Sequence, residues 1–265
     1  MYTPNTKILE RYADILVNFA LGGGAGIKAG EVVLLCVPEC ARPMLKPLHD
    51  AVLKSGGHPV VDIIPDGLQR SFFQHANDAQ IEYRPMKRLL GTVEDCDHRL
   101  YMIAEHEKYE LAGIDGGKVM NRFKTIKPYR EAMQKKENEG KFTWTLGLYG
   151  TEAMAAFAGM SLEEYWNEII HACFLDNDEP IKRWQETEAT LHTLTKKLTD
   201  MEIEWVHVVG EDADIKVKIG EKRKWLGGSG RNIPSFEVFT SPDWRGTNGW
   251  IRYNMPLSYQ SNIIR

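Results

Sequence analysis

Cysteine is scarce in this sequence, with four residues in 265: Cys36, Cys40, Cys96 and Cys173. That excludes the dense disulfide framework of a small secreted domain, and a chain of this length buries a core without such staples. The four read as reduced thiols of a cytoplasmic protein. Cys36 and Cys40 are four apart, but Pro38 lies between them and breaks the helix that would make them a metal pair. An excess of basic charge is missing too. Lys and Arg number 33 against 37 Asp and Glu, for a net charge of -4, which excludes a sequence-independent nucleic-acid binder. No apolar run approaches the length of a membrane span. Glu10 and Asp14 interrupt the N-terminus where a signal peptide would be apolar. There is no fixed-period repeat, no low-complexity tract and no His-Glu-x-x-His helix of the commonest zinc proteases. A nucleotide-binding glycine loop is also absent. Gly22-Gly23-Gly24-Ala25-Gly26 follows a helix and precedes a strand, the reverse of a phosphate cradle, and reads as a connection. Gly227-Gly228-Ser229-Gly230 has no helix pattern after it.

What is present is an alternation of strands and helices. Ile8, Tyr12, Ile15, Leu16 and Phe19 share one side of a helix over residues 5–20. The unbroken apolar run Val32–Val37 predicts a strand buried on both faces, as in a parallel sheet. A helix over 42–55 ends at Gly56-Gly57, and further strands are expected at Val60–Ile64, Leu100–Ala104 and Trp144–Tyr149, with a helix over 117–138 before the last. Residues 151–199 read as helical, and Ser161 with Glu164 forms a capping box at the start of one segment. From Glu202 the pattern changes to strict alternation, over Ile203–Val209 and again over Ala213–Ile219, which predicts an antiparallel hairpin. The fold class is therefore α/β, with a mainly parallel sheet flanked by helices over residues 1–200. The start of an antiparallel, β-rich second domain over 201–265 follows. About 65 residues are marginal for a core of their own, so this second part is expected to lean on the first or to be continued by further chain.

Candidate site residues are few. Glu105-His106-Glu107 follows a strand, where ligands bind in open α/β sheets, but adjacent residues rarely share a coordination sphere and a solvated loop is the expectation. His49, His58, His75, His98, His171 and His192 have no partners at ligand spacing, and His207 reads as a strand residue beside a turn. Glu237 stands among Pro234, Phe236, Val238 and Phe239, between the glycine loop and Pro242. A carboxylate in such company, if buried, must be paired, protonated or metal-bound.

The segment Asn232-Ile233-Pro234-Ser235-Phe236-Glu237-Val238-Phe239-Thr240-Ser241-Pro242 resembles the Asn-(Met/Ile)-Pro-(Ser/Asp)-Gly-Glu-Val-(Phe/Tyr)-Thr-(Ala/Ser)-Pro segment of the thermophilic metalloaminopeptidase family, the aminopeptidase T, aminopeptidase S and leucyl aminopeptidase group. Ala13–Leu21, Lys28–Glu31, Gly56–Val61, Leu111–Asp115, Trp144–Leu146 and Ala158–Glu164 resemble family segments in the same order, so the likeness spans nearly the whole chain. The resemblance implies a cytoplasmic, homodimeric hydrolase. It would remove N-terminal amino acids from peptides with a free N-terminus, using two divalent metals, zinc or cobalt, to polarise the scissile carbonyl. It implies neither a nucleic-acid nor a membrane partner. Family ligands are two glutamates, two histidines, a tyrosine and an aspartate. The resemblance assigns one of them here, the metal ligand Glu237, and places the others beyond Arg265. The general base falls on no residue of this chain, and the 265 residues by themselves are expected to be inactive. Phe236 departs from the pattern, standing where the family has glycine. The rival expectation is a non-catalytic protein that keeps the α/β domain for binding or dimerisation.

Overall fold

The computed structural model describes residues 2–253 and, beyond them, the backbone of Leu257–Tyr259 and Asn262–Ile264. Its centre is the apolar run seen in the sequence. Val32–Pro38 forms β1, and six of its seven residues are buried. A strand covered on both faces needs apolar side chains at every position, which is why the run shows no alternation.

Helix α1 (Thr6–Ile15) precedes this strand, with the Asn5 side chain accepting from the Ile8 N–H. The chain then widens into a π turn over Leu16–Ala20 and tightens through Leu21–Gly23. After β1 come a 3-10 turn (Glu39–Met44), α2 (Leu45–Lys54) and β2 (His58–Ile64). Three short helices follow, α3 (Leu68–His75), α4 (Asp78–Glu82) and α5 (Met86–Asp95), before β3 (His98–Ile103). The single helix expected over 117–138 is two, α6 (Gly116–Lys124) and α7 (Lys127–Asn138), broken at Thr125–Ile126. Pro128 sits in the first turn of α7, where its missing N–H costs no hydrogen bond, so it starts a helix instead of continuing one. Then come β4 (Thr143–Leu148), α8 (Glu152–Phe157) and α9 (Leu162–Ala172). Ser161 caps α9 and Glu164 answers it, as their spacing predicts. Helix α10 runs over Pro180–Asp200.

The remaining strands are β5 (Trp205–Gly210), β6 (Ala213–Ile219), β7 (Leu226–Gly227), β8 (Asn232–Ile233), β9 (Val238–Phe239) and β10 (Pro242–Ile251), and the two terminal strands pair antiparallel. The main sheet has the order β2-β1-β3-β4-β8 and all its pairings are parallel. Its fifth strand was not legible in the sequence, because two residues are too short to display a period.

The chain divides into two compact units. The first holds Met1–Arg183 and Gly230–Pro234, and the second holds Trp184–Ser229 and Ser235–Arg265. In the first unit, α1 supplies Tyr12 and Ile15, and the π turn supplies Leu16, to a core shared with Leu35, Leu100 and Met102, all fully buried. Leu34, Cys36 and Cys96 make a smaller cluster with Tyr101 and Ile64. In the second unit β5 and β6 form the expected hairpin, register Val206↔Val217 and Val208↔Ile215, and β10 pairs antiparallel with the other edge of β6. β10 is longer than the strand read at Trp250–Tyr253 and is interrupted by an irregularity between Asp243 and Asn248.

Candidate metal carboxylate

The chain enters the segment of interest through Gly230, whose carbonyl accepts from the Thr145 hydroxyl at 2.7 Å. Arg231 accepts from the Leu146 N–H at 2.8 Å, and its guanidinium meets Glu137. These contacts pin Asn232–Ile233 beside β4 in the register Leu146↔Asn232 and Gly147↔Ile233. The Ile233–Pro234 peptide is cis.

Glu237 lies in the second unit, directly before β9, which pairs antiparallel with β7 in the register Leu226↔Phe239 and Gly227↔Val238. Gly227 is required there. A Cβ at that position would stand 2.5 Å from the Glu237 carbonyl oxygen, closer than any side chain tolerates. The glycine loop thus has a local purpose, the close approach of two backbones, and no phosphate role is needed to account for it. Phe236 stacks on the buried Trp184 of α10, with centroids 5.3 Å apart and planes at 29°. The ring that replaces the family glycine is therefore taken up by an aromatic partner.

The Glu237 side chain is exposed and forms neither a hydrogen bond nor an ion pair among the described residues. The condition attached to its apolar neighbours, burial, is not met, because the two-residue strand β9 is too short to enclose it. Among the described residues no ion pair engages it, which leaves a hard oxygen donor open to a cation. It has no fellow ligands here. Among the described residues no three His, Cys, Asp or Glu side chains converge on one point. The residues present do not fit a two-metal centre, and no reaction step can be built on them.

The other polar residues singled out in the sequence fall elsewhere. Glu105 pairs with Lys108 at 2.9 Å, and His106 lies 4.0 Å from Asp66, in the loop after β3. His207 crosses its hairpin to Asp214 at 2.8 Å, with both side chains more than half exposed. His98, read as having no partner at ligand spacing, is buried between Glu31 and Thr143 at 2.8 Å each. Its partners are 67 and 45 residues away, beyond any spacing rule. All four cysteines are free thiols. Burial first, then the charge of Asp66, pushes Cys40 up to about 12, so it is a poor nucleophile.

Comparison with known proteins places the whole arrangement. Residues 5–265 match the family profile described as thermophilic metalloprotease (M29). The aminopeptidase PepS of Streptococcus thermophilus is 26% identical over 288 residues, covering 100% of this chain and 68% of its own length. The aminopeptidase AmpS of Bacillus subtilis is 31% identical over 278 residues, covering 97% and 66%. The solved structure of wild-type AmpT from Thermus thermophilus superposes with a TM-score of 0.83 at 21% identity, over 97% of this chain and 67% of that one, and so shows the shared fold. The match over residues 5–265 defines a metallopeptidase class, and this chain belongs to the thermophilic metalloprotease (M29) family. It corresponds to the N-terminal part of longer homologues and spans about two thirds of the length of the curated relatives it matches.

Proposed function

We propose that this chain forms the N-terminal portion of a metal-dependent aminopeptidase that removes N-terminal residues from peptides with a free N-terminus. Glu237 contributes one ligand to a pair of divalent ions, zinc or cobalt, and the functional molecule is a cytoplasmic homodimer. The observation that supports this reading is the family match over residues 5–265, which includes the Asn232–Pro242 segment with its exposed, unpaired carboxylate. Among the described residues no helix is long and apolar enough to cross a membrane, consistent with a peptidase acting in aqueous solution.

The rival reading, a non-catalytic protein built on the same α/β unit, is favoured by one observation: no further metal donors converge on Glu237 among the described residues. Assay of the intact gene product separates the two. Release of N-terminal residues from aminoacyl substrates, lost on chelation and regained with zinc or cobalt, is the expected result. No release with any divalent ion would favour the rival, and metal-independent release would overturn the metal assignment. The 265 residues alone are expected to bind zinc weakly and to turn nothing over, since a stable site takes several protein ligands.

A further inference from the structure

The irregularity in β10 builds a cavity in the second unit. Asp243 pairs with Lys218 of β6 and Asn248 with Lys216, so Trp244–Thr247 stand opposite the single residue Val217. The excess leaves the ladder as a bulge, held by the Thr247 hydroxyl donating to the Asp243 carbonyl at 3.1 Å. Bulges of this kind re-aim side chains. The turn after β6 is closed by the Arg223 N–H donating to the Gly220 carbonyl at 3.2 Å. Bulge and turn together enclose a cavity of about 550 Å³ lined by Lys218, Glu221, Arg223, Asp243 and Arg245. Gly220 and Gly246 complete its wall. A Cβ at Gly246 would stand 2.5 Å from Lys218 Cδ, and one at Gly220 would stand 3.0 Å from Arg223 Nε. Both cationic side chains thus lie against bare backbone, which only glycine permits.

The charges in this cavity are unevenly committed. Asp243 is taken by Arg245, which donates from Nε to Oδ1 at 2.8 Å and from Nη2 to Oδ2 at 3.0 Å. Lys218 acts on Asp243 through its charge alone. The side chains of Lys218, Arg223 and Glu221 make no hydrogen bond or ion pair among the described residues. Two cations and one carboxylate therefore share a cavity with their hydrogen-bonding capacity unused. A second hollow of about 660 Å³ continues from it, since Lys218, Gly220, Glu221 and Arg223 border both. Its further wall is apolar, with Leu198, Ile203, Trp205, Ile219 and Trp225. Glu202, Glu204, Lys222 and Lys224 also line it and balance in sign. Trp205 is 39% exposed, area that a ligand would remove from water.

We propose that the joined cavities bind an α-carboxylate carried beside a large apolar side chain, as a free amino acid or as the C-terminal residue of a peptide. The Arg223 fork matches a carboxylate in one plane, and Lys218 adds a point charge beside it. The apolar side chain lies along the wall of Trp205 and Trp225, where aromatic rings offer large contact area. Glu221 is placed for the ammonium of a free amino acid. With Asp243 in the same wall, it disfavours a phosphate dianion. None of these residues belongs to the Asn232–Pro242 segment, so the site stands or falls independently of the peptidase assignment.

The test is titration of the intact protein with phenylalanine, N-acetylphenylalanine, phenylethylamine and alanine at constant ionic strength. It is followed by calorimetry and by the indole N–H signals of Trp205 and Trp225 in NMR. Saturable phenylalanine binding that shifts both indole signals is expected. Phenylethylamine, which lacks the carboxylate, should bind roughly tenfold weaker or more, because charge-assisted hydrogen bonds are lost. Alanine, which lacks the ring, should also bind more weakly. Equal binding of N-acetylphenylalanine would assign a peptide C-terminus, and its exclusion would assign the free amino acid held by Glu221. Arg223→Gln, which breaks no side-chain hydrogen bond within the protein, should weaken phenylalanine roughly tenfold and leave the melting temperature unchanged. A response to phenylalanine that never saturates or leaves both indole signals in place would overturn the proposal. So would equal affinity for phenylethylamine, or unaltered phenylalanine affinity in a folded Arg223→Gln protein.

Discussion

The buried hydroxyl of Tyr12 donates to the main-chain carbonyl of Ile233 at 3.3 Å, joining residues 221 apart in sequence. The same oxygen accepts from the Leu148 N–H at 2.8 Å. One side chain of α1 thus ties the end of β4 to β8, the strand that leads to Pro234. Burial holds this phenol well above its ordinary pKa, so it remains a neutral donor across the working pH range.

Tyr12→Phe keeps the ring and removes the hydrogen bonds to Ile233 and Leu148. With the Leu148 N–H left buried and unpaired, a loss of about 1–3 kcal/mol is expected. Denaturant unfolding measures it, and amide exchange at Leu148 should quicken. An unchanged unfolding midpoint would mean that water replaces the hydroxyl and that the tie contributes nothing.

Gly230 holds the other end of the same connection. Its φ is +69°, and a Cβ there would lie 2.3 Å from the Ala20 carbonyl oxygen. Gly230→Ala combines left-handed strain with a backbone clash and should cost on the order of 3 kcal/mol. The melting temperature reports this directly, with Gly228→Ala as a comparison: its φ of +65° is similarly strained, but its nearest contact is a side-chain atom at 3.3 Å. Equal losses from the two would show that φ alone matters and that the close approach does not.

How much of this was written in the sequence varies with the range of the interaction. Val32–Val37 and the Ser161–Glu164 box were legible because their signals lie within one element. The hairpin at β5 and β6 was legible from alternation, which fixes which face each side chain takes. β8 was not, since its pairing with β4 is decided by Tyr12 and Thr145, far from it in sequence. Nor was the stacking of Phe236 on Trp184, which depends on how α10 packs. Glu237 was singled out through the likeness of its segment to a family, and composition alone gave it no distinction. Its exposure could not be read from apolar neighbours, because β9 is too short to bury them.

Glu31 links stability to pH at the start of the sheet. Its carboxylate accepts from the buried His98 Nε2 at 2.8 Å and from the Lys28 N–H at 2.6 Å. Burial alone would raise its pKa, but the hydrogen bonds from His98 and Lys28 and their charges outweigh burial, and the net shift is downward. A pKa lowered by folding stabilises the protein above the unfolded value, about 4.3, and that contribution disappears as pH falls through the folded value. Glu31→Gln should therefore be less stable than wild type at pH 7, with the gap closing below about pH 4. Urea midpoints across that range provide the check. A gap that stays constant or widens in acid would reverse the sign.

The central claim is that Glu237 is a metal ligand of a peptidase, and the most direct measurement is metal content with turnover in the intact gene product carrying Glu237→Gln. Glutamine keeps the shape and a carbonyl acceptor but removes the charge that balances a cation. Because the wild-type side chain is exposed and unpaired, the variant should melt at the wild-type temperature. It should lose metal by mass spectrometry and lose about a hundredfold or more in rate, the magnitude of lost transition-state charge stabilisation. Full metal content with wild-type turnover would remove Glu237 from the site and contradict the account.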